Sequence, residues 1–240
     1  MELQKCRNVV LSKTKNISRL DTEGQVFFPC DLNNAMAVDR ITMVVDVKTL
    51  PGFNARAEGA FVAIWKGAGK HLPDDIEQVV ARYDLKDEHG SGEYSSCTLK
   101  VTKGGIDLAT GVYTIGLFTN GTLSTLAAQC LLVNGTGDMY QGTNVGVSSM
   151  SPRHLNITYA VPQLVNPGGR GDGVYLYDAD APIHSGKALA HTIIDNGHWY
   201  GTQLMDISKV LLEPQRTYLV QYFPRSWWGT QAASILFKVR

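Results

Sequence analysis

Two stretches of this chain repeat one another, and that repeat limits what the chain can fold into. ITMVVDVKTLPGFNARAEGAFVA begins at Ile41, and LNITYAVPQLVNPGGRGDGVYLY begins at Leu155. At a constant offset of 114, Ile41 meets Leu155, Met43 meets Ile157, Val45 meets Tyr159, Val47 meets Val161 and Leu50 meets Leu164. The same offset pairs Arg56 with Arg170, Glu58 with Asp172, Gly59 with Gly173 and Phe61 with Tyr175. Further on the offset becomes 105: GVYTIGLFT meets RTYLVQYFP, and LAAQCLLV meets QAASILFKV. Two copies are too few for a solenoid, so the pattern reads as two similar domains side by side.

Each copy is a β domain by pattern. ITMVVDVK, GAFVAIW, GVYTIGLF and AAQCLLV, with LNITYAV, GVYLYD, RTYLVQYF and ASILFKV, are short runs rich in Val, Ile, Tyr and Phe. Gly, Pro, Asn or Asp bounds them, as expected of strands. In TYLVQYF, Tyr218, Val220 and Tyr222 fall on one face and Leu219, Gln221 and Phe223 on the other. LPDDIEQVVARYDL has helical spacing but is read as a strand entering the sheet. A turn precedes Tyr113 in one copy and Tyr218 in the other, an arrangement like the tyrosine corner of Greek-key sandwiches. The fold expected is all-β: two tandem immunoglobulin-like or jelly-roll-like β-sandwich domains with an N-terminal arm. Residues 1–36 are an arm or edge strands added to the first sandwich, 37–135 the first sandwich, 136–152 a linker and 153–240 the second sandwich. The arm holds strand-like runs at Asn8–Ser12 and Gln25–Pro29, with Val9, Val10, Leu11, Phe27 and Phe28 as its contact residues.

Composition removes several functions. The 240 residues carry 22 basic and 22 acidic side chains, and only 18% are charged, against about 25% in an average protein. A neutral balance gives no electrostatic footprint for nucleic acid. No apolar run approaches the ~20 residues of a membrane helix. The first residues lack a basic stretch followed by an apolar core, so no secretory signal is read. Cys6, Cys30, Cys97 and Cys130 lie far apart with no CxxC, and read as free thiols in a reducing compartment. The sequons at Asn16, Asn120, Asn134 and Asn156 then read as turn chemistry.

No catalytic motif is present: there is no GxSxG, HExxH, P-loop or strand-linked GxGxxG. The expectation is a protein without enzymatic activity, without cofactor and without metal. His184, His191 and His198 are spaced by seven but lie in strand and turn sequence, so they read as loop residues. Asp178, Asp180 and Asp195, and Asp74, Asp75 and Glu77, lack the fixed loop spacing of a calcium site. Asp84, Asp87 and Glu88 lack it too. Arg170-Gly171-Asp172 spells an adhesion tripeptide, but a turn shared with Arg56-Ala57-Glu58 explains it equally. The second copy is rich in aromatics: Trp199, Tyr200, Trp227 and Trp228, with Arg225 beside the last pair. Such loop tryptophans cap a sandwich end, form a protein interface, or stack on sugars.

The repeated turn–Tyr–strand units at Thr110–Phe118 and Gln215–Phe223, with the arm, the low charge and the Gly/Thr turns, resemble the accessory virion proteins of tailed bacteriophages. The resemblance is one of architecture and spans most of 41–240. It implies a structural role in capsid decoration or as a tail or fibre adaptor. Symmetric homo-oligomeric copies, capsid or tail partners, and a location in a virion made in the host cytoplasm are implied with it. The alternative is a carbohydrate-binding module using the tryptophan loops of the second domain; a hydrolase with an unrecognised carboxylate pair is a third reading.

Overall fold

The computed structural model describes residues 25–239 apart from 69–71, 74 and 181–186. Its first strands are β1 (Val26–Pro29), β2 (Asp31–Ala37), β3 (Thr42–Lys48), β4 (Phe61–Lys66), β5 (Val79–Asp84), β6 (Ser95–Lys100), β7 (Val112–Phe118) and β8 (Leu126–Val133). Then follow β9 (Thr136–Gly142), β10 (Asn144–Met150), β11 (His154–Ala160), β12 (Gly173–Asp178), β13 (Ala190–Ile193), β14 (Tyr200–Asp206), β15 (Thr217–Phe223) and β16 (Ala233–Lys238). The fold is all-β. The segment with helical spacing is one 3-10 turn, Ile76–Gln78, followed by β5.

The first sandwich is a single antiparallel sheet in the order β5-β4-β7-β8-β9-β2-β3-β6, folded back on itself. Its two halves join at one bridge, Met36 to Thr136. At the opposite seam Lys103, just beyond β6, donates to the carbonyls of Glu77 and, at 2.7 Å, of Val79. The second sandwich has two separate sheets, β1-β16-β15-β12-β13 and β10-β11-β14. They face each other through rings such as Tyr159 and Tyr222, 6.3 Å apart. One connected set of buried side chains runs through both units.

Both tyrosine corners are present. The Tyr113 hydroxyl accepts from the Asp107 N–H and donates to the Asp107 carbonyl, each at 3.1 Å. The Tyr218 hydroxyl accepts from the Glu213 N–H at 2.7 Å. A Cβ at Gly111 would collide with the Tyr113 ring, so that turn needs glycine.

Three sequence expectations change. The stretch 136–152 is not a bare connection, because it carries β9 and β10. Nor does the segment before residue 37 add edges to the first sandwich. There β2 lies inside the sheet, between β9 and β3, while β1 pairs with β16 of the second sandwich. Val9, Val10 and Leu11 lie outside the described residues. Finally, the first repeat pairs Phe61 with Phe118, and the second pairs Gly173 with Phe223. The counterpart of Phe61 is therefore Gly173, two residues before the Tyr175 that hydropathy selects. A two-residue slip keeps every side chain on its face, so apolar matching cannot detect it.

With the register corrected, β9 is the repeat of β1. Cys30 N donates to Ala232 O and Thr143 N to Ala127 O, both at 2.8 Å, at matching places in the two units. The repeats are thus β1–β8 and β9–β16. Each gives its first strand to the other's last strand: β9 pairs with β8, and β1 with β16.

Cys30, Cys97 and Cys130 are buried and free. Burial pushes each thiol up to about 12 from 9.0. The unfolded chain loses these protons near pH 9, while the folded chain holds them until about 12. Stability is therefore expected to fall as pH rises through that window. Urea titrations between pH 8 and 11 should show the decline, and Ellman's reagent at pH 8 should leave these three thiols unmodified until the chain unfolds.

Candidate functional site

The tripeptide Arg170-Gly171-Asp172 is interior. Its two charged side chains are 8% and 0% exposed. Asn166 caps a single helical turn, Pro167–Arg170, that ends on Gly171 at φ 73. The chain then reverses, and Arg170 meets Asp172 in a fork, Nε to Oδ1 and Nη2 to Oδ2, both 2.6 Å. Tyr222 donates its hydroxyl to Asp172 Oδ2 at 2.5 Å, and the Arg225 N–H donates to Oδ1 at 2.9 Å. Burial, with the Asp172 carboxylate beside it, holds the Tyr222 phenol well above its ordinary pKa, so it stays the donor. Arg170 Nη1 reaches into the other repeat, to the carbonyls of Ser124 (3.2 Å) and Leu126 (3.0 Å).

The shared turn is real, but its register is different from the hydropathy match. Asn54 accepts from the Ala57 N–H as Asn166 does from Gly169, and Gly59 and Gly171 both take positive φ. Glu58, not Arg56, therefore stands where Arg170 stands. Glu58 packs its carboxylate on Gly229, the counterpart of Ser124, where a Cβ would displace it. The two repeats therefore clasp each other by equivalent loops in both directions, and the Arg170–Asp172 pair holds a joint.

The aromatic candidates divide into two places. Trp227 and Trp228 leave the end of β15 on a tight turn, with Arg225 and Ser226 at φ 58 and 53. The Arg225 guanidinium lies 4.1 Å over the Trp227 ring, and its Nη1 bonds Ser124 Oγ at 3.0 Å. Trp228 leans on Phe223 (5.7 Å) and Tyr177 (6.0 Å). Phe223 meets Tyr175 edge-on at 5.1 Å, and Tyr175 stacks on His191 at 5.3 Å. These rings form a shelf on the outer face of β13, β12 and β15. The sequence names most of its members but assigns them no common face. Tyr222 is the exception, pointing into the core toward Asp172. Trp227 and Trp228 are 42% and 55% exposed at its rim.

Trp199 and Tyr200 pack on each other at 4.7 Å, where β14 begins in the other sheet. Among the described residues no ring contact joins them to the shelf. Phe27 and Phe28 lie on β1, beside neither cluster.

The acidic and histidine candidates disperse. His191 belongs to the aromatic stack, the His198 N–H bonds Asn196 Oδ1, and Asp178 pairs with Arg216. His184 and Asp74 lie outside the described residues. Among the described residues no group of three His, Cys, Asp or Glu side chains is placed to hold a metal. Cys97 Sγ lies 3.3 Å from His89 Nε2, a thiol–imidazole pair that sequence reasoning did not single out. Both residues are buried and the thiol is pushed up, so the pair lacks the access and the thiolate that a nucleophile needs.

No family model matches the sequence, and no curated protein matches it. Among solved structures, a β-D-glucuronidase from Dictyoglomus thermophilum is similar at a TM-score of 0.22 and 10% identity. The similarity covers 85% of this chain and 42% of that one. At that TM-score the likeness carries no argument.

The joint and the shelf are expected to respond oppositely to mutation. Asp172→Asn strands the Arg170 charge in the interior and should cost about 3–5 kcal/mol in urea unfolding. Trp227→Ala with Trp228→Ala should stay within about 1 kcal/mol of wild type, because both residues sit at the rim.

Proposed function

We propose that the protein is a non-enzymatic assembly component of a viral particle, of the phage capsid-decoration or tail-fibre adaptor kind, acting through protein–protein contacts. The observation that carries the contact role is the aromatic shelf, with Trp227 and Trp228 exposed at its rim. Exposed Trp, Tyr and Arg held rigidly by packing are the residue types that dominate interface energetics. Trp228 is held against Phe223 and Tyr177 and Trp227 under the Arg225 guanidinium, so little side-chain freedom is lost on docking. The virion setting is supported by the resemblance of the tandem turn–Tyr–strand units. A glycan ligand is the second reading, favoured by the stacked Tyr175 and His191 rings beside Trp228.

Particle incorporation tests the proposal. The wild-type chain should sediment with particles purified from its source. The Trp227→Ala/Trp228→Ala variant, still folded, should be depleted about tenfold or more, the loss of one interface hot spot. Absence of the wild-type chain from the particle fraction, or unchanged incorporation of the variant, overturns the reading. Binding of the wild-type chain on a glycan array, lost in the variant, would put the sugar reading in its place.

A further inference from the structure

The two repeats treat one sheet edge differently. In the first repeat the edge of β2 that faces β9 is sealed. The Leu32 N–H is taken by the side chain of Asp31 (2.9 Å), and the Ala35 N–H by the Tyr140 hydroxyl (2.8 Å). Met36 and Ala37 pair with the backbone entering β9. In the second repeat the counterpart of β2 is β10, and the seal is not made. Asn144 stands in place of Asp31 without the equivalent bond to the next N–H, and Phe27, which has no hydroxyl, stands in place of Tyr140.

What remains is a slot of about 360 Å³ between β1 and β10, with Phe27, Val145, Val147 and Tyr159 among its walls and no charged residue in its lining. At one end of the slot a side chain imitates a strand. The Gln25 carboxamide donates to Val147 O at 2.7 Å and accepts from the Val147 N–H at 3.2 Å, the two bonds that a neighbouring peptide would make. Val145, two residues away, directs its N–H and C=O the same way. Neither has a partner among the described residues. The strand itself, NVGVSSM, holds no Lys, no Pro and no inward charge, the devices that normally protect an open edge.

We propose that this edge is a strand acceptor and that its occupant is the neutral run Asn8–Ser12 from a second copy of the chain. The inference rests on the assembly reading above and supplies its contact between copies. Three things favour that occupant. The run NVVLS is uncharged, like the slot, while Lys5, Arg7, Lys13 and Lys15 flank it. It lies ahead of Gln25, which is already seated in the slot, so the described chain begins where the acceptor is. And this fold already joins its units by passing a first strand to a neighbour, as β1 does for β16. Added to β10, the run would bond Val145 and place an apolar side chain between Phe27 and Val147.

Light scattering against concentration reads the association, and hydrogen exchange at the Val145 amide reads the docking. The full chain should gain mass with concentration, and the chain beginning at Gln25 should remain a monomer. A synthetic peptide of residues 7–13, added to that shortened chain, should slow exchange at Val145 about tenfold or more. Phe27→Tyr with Asn144→Asp, which copies the first repeat's seal, should abolish association with the arm intact. Association of the shortened chain, or a peptide without effect on Val145, overturns the proposal. So does a full chain that stays monomeric while its Val145 amide is protected, because the arm then docks on its own body. Failure here leaves the tryptophan-dependent incorporation test unaffected, so the two readings fail separately.

Discussion

The structure depends on an exchange of strands. β9 leaves the second repeat to pair with β8, and β1 leaves the first to pair with β16. Each sandwich is completed only when the other repeat is present, and the buried side chains accordingly form one connected core. The loops next to the exchange secure the joint, with Arg170 reaching the Ser124 and Leu126 carbonyls and Thr119 donating to Thr230 O at 2.9 Å. A buried ion pair is weak evidence for net stability. Here its fork geometry and its further bonds to Tyr222 and Arg225 satisfy both charges, and orientation between repeats is what it fixes.

The sequence shows the sandwich strands clearly because their inward residues are large and alternate with polar ones. β3, β7, β11 and β15 fall where pattern places them. β9 and β10 escape because TGDMYQG and NVGVSSM are poor in large apolar side chains, so periodicity gives no signal. The repeat is legible, but its register is not. Strand alternation is satisfied equally by Phe61 against Gly173 and by Phe61 against Tyr175, and only the ladders decide. That slip is what paired Arg56 with Arg170. The true counterpart, Glu58, has the opposite charge, so no residue-type match could have revealed it.

The repeats have diverged on their outer faces. In the first, Phe61 and Phe118 stack at 4.6 Å and the Arg82 guanidinium covers Phe61 at 3.9 Å, so the rings are closed off. In the second, Phe223 keeps the place of Phe118, while Tyr175, Tyr177 and the Trp227–Trp228 turn extend the aromatic surface outward. Four tryptophans are visible in the sequence, but that Trp228 rests on Phe223 and Tyr177 and Trp227 under Arg225, while Trp199 lies beside the start of β14, depends on strand order. One scaffold thus carries arginine-covered rings in one repeat and, in the other, buried Tyr177 and Phe223 rimmed by two exposed tryptophans.

The pairing of β1 with β16 has a mechanical consequence. Val26 faces Leu236 and Pro29 faces Ala233, so the described ends leave this short ladder on the same side. Tension between the ends loads its bonds one at a time, as a zipper is opened, instead of shearing the whole row together. The ladder is four residues long and partly exposed. On the N-terminal side the load passes first through the Gln25–Val147 bonds and on the C-terminal side through those of Val239 to Gln215 and Arg216, so these contacts guard the ladder.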